Sequence, residues 1–265
     1  MSVLATAEPW DLVAAAYTTE ALPYFELFSR EALRLAALPA QARIADIAAG
    51  PGTLSLMAAA QGARVSAIDL SPQMVAQFRA RVAAAGLEGA IDVRVGDGQQ
   101  LPFEAAAFDA AFSMFGLMFF PDRGAGLREM KRVLKPGGRA VISSWIPFEG
   151  PFGVLMKTAG EFIPGLPSGG VLPLADEESI RREMTEAGLA NVTVHQATQQ
   201  LQASSFDTFW NSMERTNAPL VLIKHRVGAA RWSELAPKIR ERVRGTLGDA
   251  PLTIGRGAFI GVGVA

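Results

Sequence analysis

The stretch Ile44-Ala45-Asp46-Ile47-Ala48-Ala49-Gly50-Pro51-Gly52-Thr53 constrains this chain more than any other. A short apolar run carrying one acid leads into a turn with almost no side-chain bulk, and an amphipathic stretch, Leu54 to Ala60, follows. Apolar runs of this length suit a parallel strand covered on both faces. A turn of small residues lets backbone approach a ligand closely, and glycine reaches positive φ without a Cβ clash. Thr53 reads as the N-cap of the helix that follows and Gly62 as its stop. The free N–H groups of such a helix start face whatever binds above the strand end.

A second strand, Arg64 to Asp69, ends in an acid 19 residues after Gly50. A Gly-rich turn followed about 20 residues later by an acid is the spacing that serves ribose hydroxyls, so a nucleoside-containing ligand is expected. Helix and strand then alternate. Ser71-Pro72 opens a helix that Gly86 ends, and Ile91 to Val95 is a third strand running into Gly96-Asp97-Gly98. Phe108 to Met114 is a fourth strand. Leu127, Met130, Val133 and Leu134 mark a helix, and Lys135 to Arg139 turn into a fifth strand, Ala140 to Ile146. This alternation predicts a doubly wound, mostly parallel sheet with its ligand at the C-terminal strand ends. The loop Phe115 to Asp122 is unusually apolar for a connection. It is either core beneath a lid or the lining of an apolar pocket.

Two helices precede the sheet. Trp10, Val13, Ala14 and Tyr17 share one face of the first, and the second runs from Glu20 to Leu38. Residues 147–173, rich in proline and glycine, read as a partly helical excursion. Asp176 caps a helix that Gly188 ends, and Asn191 to Thr198 is a sixth strand. Residues 204–247 form two or three helices: Phe206 to Asn217, Leu220 to Arg226 and Arg231 to Leu247. A last strand covers Gly257 to Val264.

The run Asp46 to Gly52 resembles motif I of the class I S-adenosylmethionine-dependent methyltransferases, D-x-G-x-G-x-G, with Ala48 in place of the first glycine. Arg128 to Arg139 is similar to that family's R-E-x-x-R-V-L-K-P-G-G-R segment. The group it looks most like is the ubiquinone/menaquinone-biosynthesis type, whose members methylate small molecules. The resemblance implies an α/β, Rossmann-like methyltransferase fold: a doubly wound, mostly parallel seven-stranded sheet ending on an antiparallel strand, with helical cap insertions. Four regions follow: N-terminal helices at 1–40 closing on the cofactor, an α/β core at 41–200, a helical cap at 201–250 and the last core strand at 251–265. It also implies S-adenosylmethionine as methyl donor, S-adenosylhomocysteine as product, and in-line displacement onto a small, apolar or aromatic molecule. The cofactor residues it implies are Tyr17, Asp46, Ala48, Gly50, Gly52, Asp69, Leu70, Met74, Asp97, Gly98 and Met114, with Asp97 on the adenine amino group. Phe115, Phe119 and Phe120 are the expected substrate contacts. Asp109 resembles the motif IV acid, which is often structural.

Two other readings stand beside this one. NAD(P)-dependent oxidation would want a third glycine where Ser55 stands, and the position of Asp46 also argues against it. A non-methylating protein on the same fold is the third class, because fold does not fix function. If the acceptor carries a proton, a base is needed, and the chain has two histidines. His195 lies mid-strand and reads as packed or surface. His225, between Lys224 and Arg226, is the candidate catalytic base, its other reading being a solvated basic turn.

With a net charge of −1, nothing in the balance points to nucleic acid. The basic run from Lys224 to Arg244 lacks interleaved aromatics and reads as a solvated helix face. The absence of cysteine excludes disulfides, thiolate metal sites and cysteine nucleophiles, and no metal is expected. No membrane-length apolar run occurs, and Met1 to Trp10 carry acid without a basic n-region, so a cytoplasmic protein is expected.

Overall fold

The computed structural model describes residues 3–147, 150–163 and 173–265. Its sheet has seven strands: β1 (Arg43–Ile47), β2 (Arg64–Asp69), β3 (Ile91–Val95), β4 (Phe108–Met114), β5 (Leu134–Trp145), β6 (Ala190–Ala203) and β7 (Leu252–Val264). Their order is β3-β2-β1-β4-β5-β7-β6. Strands β1 to β5 pair in parallel, and β7 runs antiparallel to both β5 and β6. This is the expected doubly wound sheet. The chain works outward from β1 to β3, then crosses back to β4, so a crevice opens above the C-terminal end of β1.

Nine helices accompany the strands among the described residues: α1 (Glu8–Ala16), α2 (Leu22–Ala36), α3 (Thr53–Ala60), α4 (Pro72–Ala85), α5 (Arg123–Val133), α6 (Pro151–Phe162), α7 (Glu177–Glu186), α8 (Phe206–Thr216) and α9 (Ala218–Leu247). Side chains on the two faces of the sheet form separate cores. Ile47, Ile68, Met130 and Ile142 belong to one, and Ile44, Val65, Phe78 and Phe112 to the other. A third core stands apart from the sheet's parallel half: Phe206, Phe209, Trp210, Trp232 and Ile239 bury one another with Leu155 of α6 and Ile254 of β7.

Local chemistry accounts for most boundaries. Ser71 caps α4 by accepting from Met74 N, and Asp176 caps α7 by accepting from Ser179 N. Asp109 accepts from Lys135 Nζ at 2.5 Å and from Arg43 N at 2.8 Å, clamping the starts of β1, β4 and β5.

Four expectations need correction. Gly52, not Thr53, occupies the N-cap of α3. It takes φ 80°, and the Phe78 ring lies 2.1 Å from where its Cβ would be, so only glycine fits. Lys135 to Arg139 lie inside β5 as an irregularity, where pairing with β4 jumps from Phe108↔Leu134 to Ala110↔Arg139. Between α1 and α2 the chain does not break: Tyr17–Ala21 continue as a π-helical segment. Finally, β6 and β7 are longer than their sequence patterns. Pairing of β7 with β5 ends at Ala258↔Trp145, while pairing with β6 continues to Leu252↔Ala203, so a two-stranded ribbon projects past β5. Helix α9 is two pieces broken at Gly228 (φ 78°), close to the expected division. Of the excursion at 147–173, α6 is helical, and residues 148–149 and 164–172 lie outside the described residues.

Candidate active site

A cavity of about 1420 Å³ opens over the C-terminal ends of the strands, roofed by the N-terminal helices, α6 and α8. Its floor starts at the small-residue turn. Ala48 and Gly50 both take positive φ, 56° and 54°, and both line the cavity. Gly50 N donates to Asp69 Oδ2 at 2.7 Å, and Ser71 N donates to Oδ1 at 2.8 Å. The acid at the end of β2 therefore fastens the turn after β1 and the start of α4. Each carboxylate oxygen accepts more than one hydrogen bond, so ribose hydroxyls can join these N–H groups.

Asp46, 1% exposed, accepts from Ser55 Oγ at 2.6 Å, which holds α3 against β1. Burial pushes Asp46 up to about 7, against the pull of Ser55 and with help from the charge of Asp69. Burial likewise pushes Asp69 up to about 6, although the Ser71 and Gly50 N–H groups favour its charged form. Two acids crowded at one end of a cavity give it an environment suited to a cationic ligand.

At the β3 end, Asp97 is exposed and accepts from Gln99 N at 2.8 Å. Gly98 is buried beneath Phe120, whose Cζ lies 2.4 Å from the position of an added Cβ, with Ile47 Cγ2 at 2.8 Å. Phe119 packs on Trp10 of α1, with ring centroids 5.2 Å apart. At the β5 end the arrangement is different. Phe115 stacks on Trp145 at 3.8 Å, and Phe25 and Phe28 of α2 meet the pair edge-on. The apolar loop is thus core and cavity lining at once. Its residues divide: Phe119 and Phe120 stand on the Asp97 side, and Phe115 on the Trp145 side.

The cavity brings together Tyr17, Asp46, Ala48, Gly50, Asp69, Leu70, Met74, Asp97, Gly98, Met114, Phe115, Phe119 and Phe120. Gly52 does not line it, because Phe78 occupies that side. His225, the expected base, is exposed on α9 and is not among the residues that line the cavity. His195 bonds Thr193 Oγ1 at 3.1 Å, also outside the cavity. Tyr17 lies in the π-helical segment. Burial pushes its phenol well above the ordinary value of 10.0, with the Arg256 charge opposing and the Asp69 charge assisting, so it serves as a donor rather than a base.

Three contributors went unread in the sequence. Asp11 of α1 accepts from Ser71 Oγ at 2.5 Å and from Gln73 N at 3.1 Å, latching the N-terminal helix to the start of α4. A polar residue beside an apolar stripe was the only signal. Trp145 closes β5 as another apolar residue of a buried run. Arg256, on the projecting ribbon, lies between Gly255 and Gly257, where the sequence pattern suggested a strand boundary.

Residues 45–142 match the methyltransferase domain family. The chain carries a methyltransferase domain. Beyond that domain the likeness thins. The chain spans about half the length of curated relatives it matches, such as an uncharacterized protein of Mycobacterium tuberculosis, 42% identical over 127 residues, 48% of this chain and 45% of that one. The demethylmenaquinone methyltransferase of Thermus thermophilus is 40% identical over 147 residues, 53% of this chain and 66% of the other. Among solved structures, phosphoethanolamine N-methyltransferase 2 of Haemonchus contortus with S-adenosylhomocysteine superposes with a TM-score of 0.56 at 18% identity, covering 89% of this chain and 52% of that one. A 4+2 cyclase superposes with a TM-score of 0.55 at 20% identity, covering 90% and 80%. At that identity the structures share the fold.

The methyltransferase domain has the features that S-adenosylmethionine would need. Asp69 offers a carboxylate to the cavity, the turn carries little side-chain bulk, and Gly98 is a place where no Cβ fits. The cavity exceeds the roughly 300–1,000 Å³ of an ordinary small-molecule site, leaving room for a second reactant. Among the described residues, no helix is long and apolar enough to cross a membrane.

Proposed function

We propose that this protein transfers the methyl group of S-adenosylmethionine to a small acceptor with apolar or aromatic surface. One observation carries the reading: a single cavity joins the Asp46–Asp69 end, suited to the cationic nucleoside, to the Phe25–Phe115–Trp145 rings. Asp69 takes the ribose hydroxyls, the Ala48 to Gly50 backbone holds the methionine end, and Asp97, Gly98, Leu70 and Phe120 enclose the adenine. Met74, Met114 and Tyr17 close around the sulfonium side, and Phe119 braces Trp10 above it. Phe115 and Trp145 wall the acceptor.

When bound, the donor supplies an activated methyl group. What this chain adds is position and exclusion of water. Holding two reactants in line replaces a bimolecular encounter with an intramolecular one, worth about 7–11 kcal/mol for well-aligned groups. Among the described residues no histidine lines the cavity, and Asp46 is engaged by Ser55. The reading therefore uses proximity rather than a dedicated protein base.

Thermal shift with S-adenosylmethionine, S-adenosylhomocysteine, NAD and NADP tests the donor assignment. Saturation at one hundred times Kd stabilises the native state by about 2.7 kcal/mol. A shift with the nicotinamide nucleotides alone would overturn it. Formation of S-adenosylhomocysteine from labelled donor over a panel of aromatic acceptors tests transfer. Product formed without it would move the protein to the non-methylating class.

A further inference from the structure

The projecting ribbon places one cation in the cavity. Arg256 of β7 lines it, and its guanidinium carbon lies 4.0 Å from the centroid of the Trp145 ring and 4.6 Å from that of Phe152. The guanidinium carbon lies over both rings, and a guanidinium makes its hydrogen bonds in its own plane. Strand order fixes how far this cation stands from the donor. From β1 the sheet steps through β4 and β5 to β7. Three spacings of 4.7–4.9 Å put β7 roughly 14 Å from β1 across the sheet, and Arg256 lies further along it, beyond the end of β5. Asp46 and Asp69 line the cavity from the β1 and β2 ends and Arg256 lines it from β7, where α6 adds Lys157 and Glu161 to the lining and Phe115 stacks on Trp145. A molecule filling the aromatic stretch and reaching Arg256 would present its far end to a planar, pre-aligned donor fork.

We infer that Arg256 is a specificity residue that anchors a carboxylate at the end of the acceptor remote from the reacting atom, so that the substrate is an apolar or aromatic carboxylic acid. This rests on the methyl-transfer reading. Arginine meets carboxylates through two parallel N–H···O bonds, which fix orientation as well as occupancy. Burial lowers Arg256 to about 10, which leaves it charged at neutral pH. Tyr24 is also a lining residue and supplies a neutral hydroxyl near it.

The experiment is calorimetry with 4-phenylbenzoate and its neutral analogue 4-phenylbenzamide, on the protein free and saturated with S-adenosylhomocysteine. Binding of S-adenosylhomocysteine is measured first and reads the donor assignment alone. The carboxylate is then expected to bind at least about tenfold more tightly than the amide. Arg256→Met should bring the two within about threefold while S-adenosylhomocysteine affinity stays within about threefold of the parent. Equal binding of acid and amide by the parent, with and without the nucleoside, overturns the inference. So does a preference that persists in Arg256→Met, or a folded Arg256→Met that loses S-adenosylhomocysteine instead, which would give Arg256 to the donor end. If Arg256→Met fails to fold, Arg256→Lys decides. It keeps the charge without the fork and should lose at least threefold of the preference, and an undiminished preference there overturns the inference.

Discussion

Ala48 holds a left-handed backbone, φ 56°, at the point where the resembled family places glycine. That conformation costs an L-residue with a Cβ roughly 1–2 kcal/mol. The neighbourhood is tight as well: a Cβ on Gly116 would lie 2.4 Å from the Ala48 methyl. Ala48→Gly removes the strain but loosens the unfolded chain by about 0.4–1 kcal/mol, so a net gain of up to about 1 kcal/mol is expected. In a protein of this size that is a rise of about 2–4 °C in Tm. A fall in Tm would mean the methyl packs better than the backbone suffers. The paired acids make a second prediction. In the folded state Asp46 and Asp69 keep their protons up to about 7 and 6, whereas unfolded they ionise near their ordinary 3.8. The native state binds the extra protons, so their contribution to stability is full below about pH 4 and is lost as pH rises through 6 and 7. The ligand-free protein should therefore lose Tm between about pH 4 and 7, and Asp46→Asn should flatten that decline. Equal slopes for parent and variant would show that Asp46 ionises normally. Ribose hydroxyls favour the charged form of Asp69, so donor affinity should strengthen across the same interval, with proton release on binding.

Elements differed in how legibly they were written. Strands β1 to β5 announced themselves because both faces are buried, which leaves short apolar runs between small-residue turns. The ribbon half of β6 and β7 did not. It pairs only with itself, mixes Gln199, Gln200 and Gln202 with apolar residues, and contains Gly255 and Gly257, so neither alternation nor hydrophobicity marks it. The turn and the spacing to Asp69 marked the β1 and β2 end of the cavity, whereas Tyr17 and Asp97 were expected only from the family resemblance. The rest depends on contacts between elements far apart in sequence, such as Trp145 with Arg256 and Phe115 with Phe25, for which no local pattern exists. The N-terminal latch is of the same kind. α1 is tied to α4 through Asp11, and Glu8 and Glu20 pair with Arg226 at 2.7 Å and Arg215 at 2.8 Å on the cap. The exposed pairs are each worth about 0–1 kcal/mol, and the half-buried Asp11 bonds more. Asp11→Ala should speed release of S-adenosylhomocysteine by about tenfold, equal to about 1.4 kcal/mol, in stopped-flow. Glu8→Gln should change it by less than about threefold. Similar rates for both variants would detach the latch from ligand exchange.

At the scale of the whole molecule, α8 and α9 share a hydrophobic core with α6 and the ribbon. Trp210 and Trp232, both nearly fully buried, donate their indole N–H groups to the two oxygens of one carboxylate, Glu214, at 2.9 and 3.0 Å. Removing it strands two buried donors at about 1–3 kcal/mol each. Glu214→Ala should therefore raise hydrogen exchange throughout α8 and α9 while leaving β1 to β5 protected, and a uniform change across the molecule would show that cap and sheet unfold together. The family match covers residues 45–142 and ends just before Trp145, so the ribbon and cap lie outside it.

Glycines on β7 give its register a further meaning. An added Cβ at Gly261 would lie 2.6 Å from Ile180 and 2.8 Å from Met184, and one at Gly257 would lie 2.8 Å from Ile146. These large side chains sit in notches that only glycine leaves, so β7 cannot slide along β5. A slip of one residue would turn Arg256 out of the cavity, and a slip of two would move it about 7 Å along the strand. The strand works as a ruler whose zero is locked in the sheet and whose reading falls in the cavity. On the proposed reading, the length of molecule that fits between donor and cation is graduated in residues of β7, and a register moved by two would measure out a different substrate.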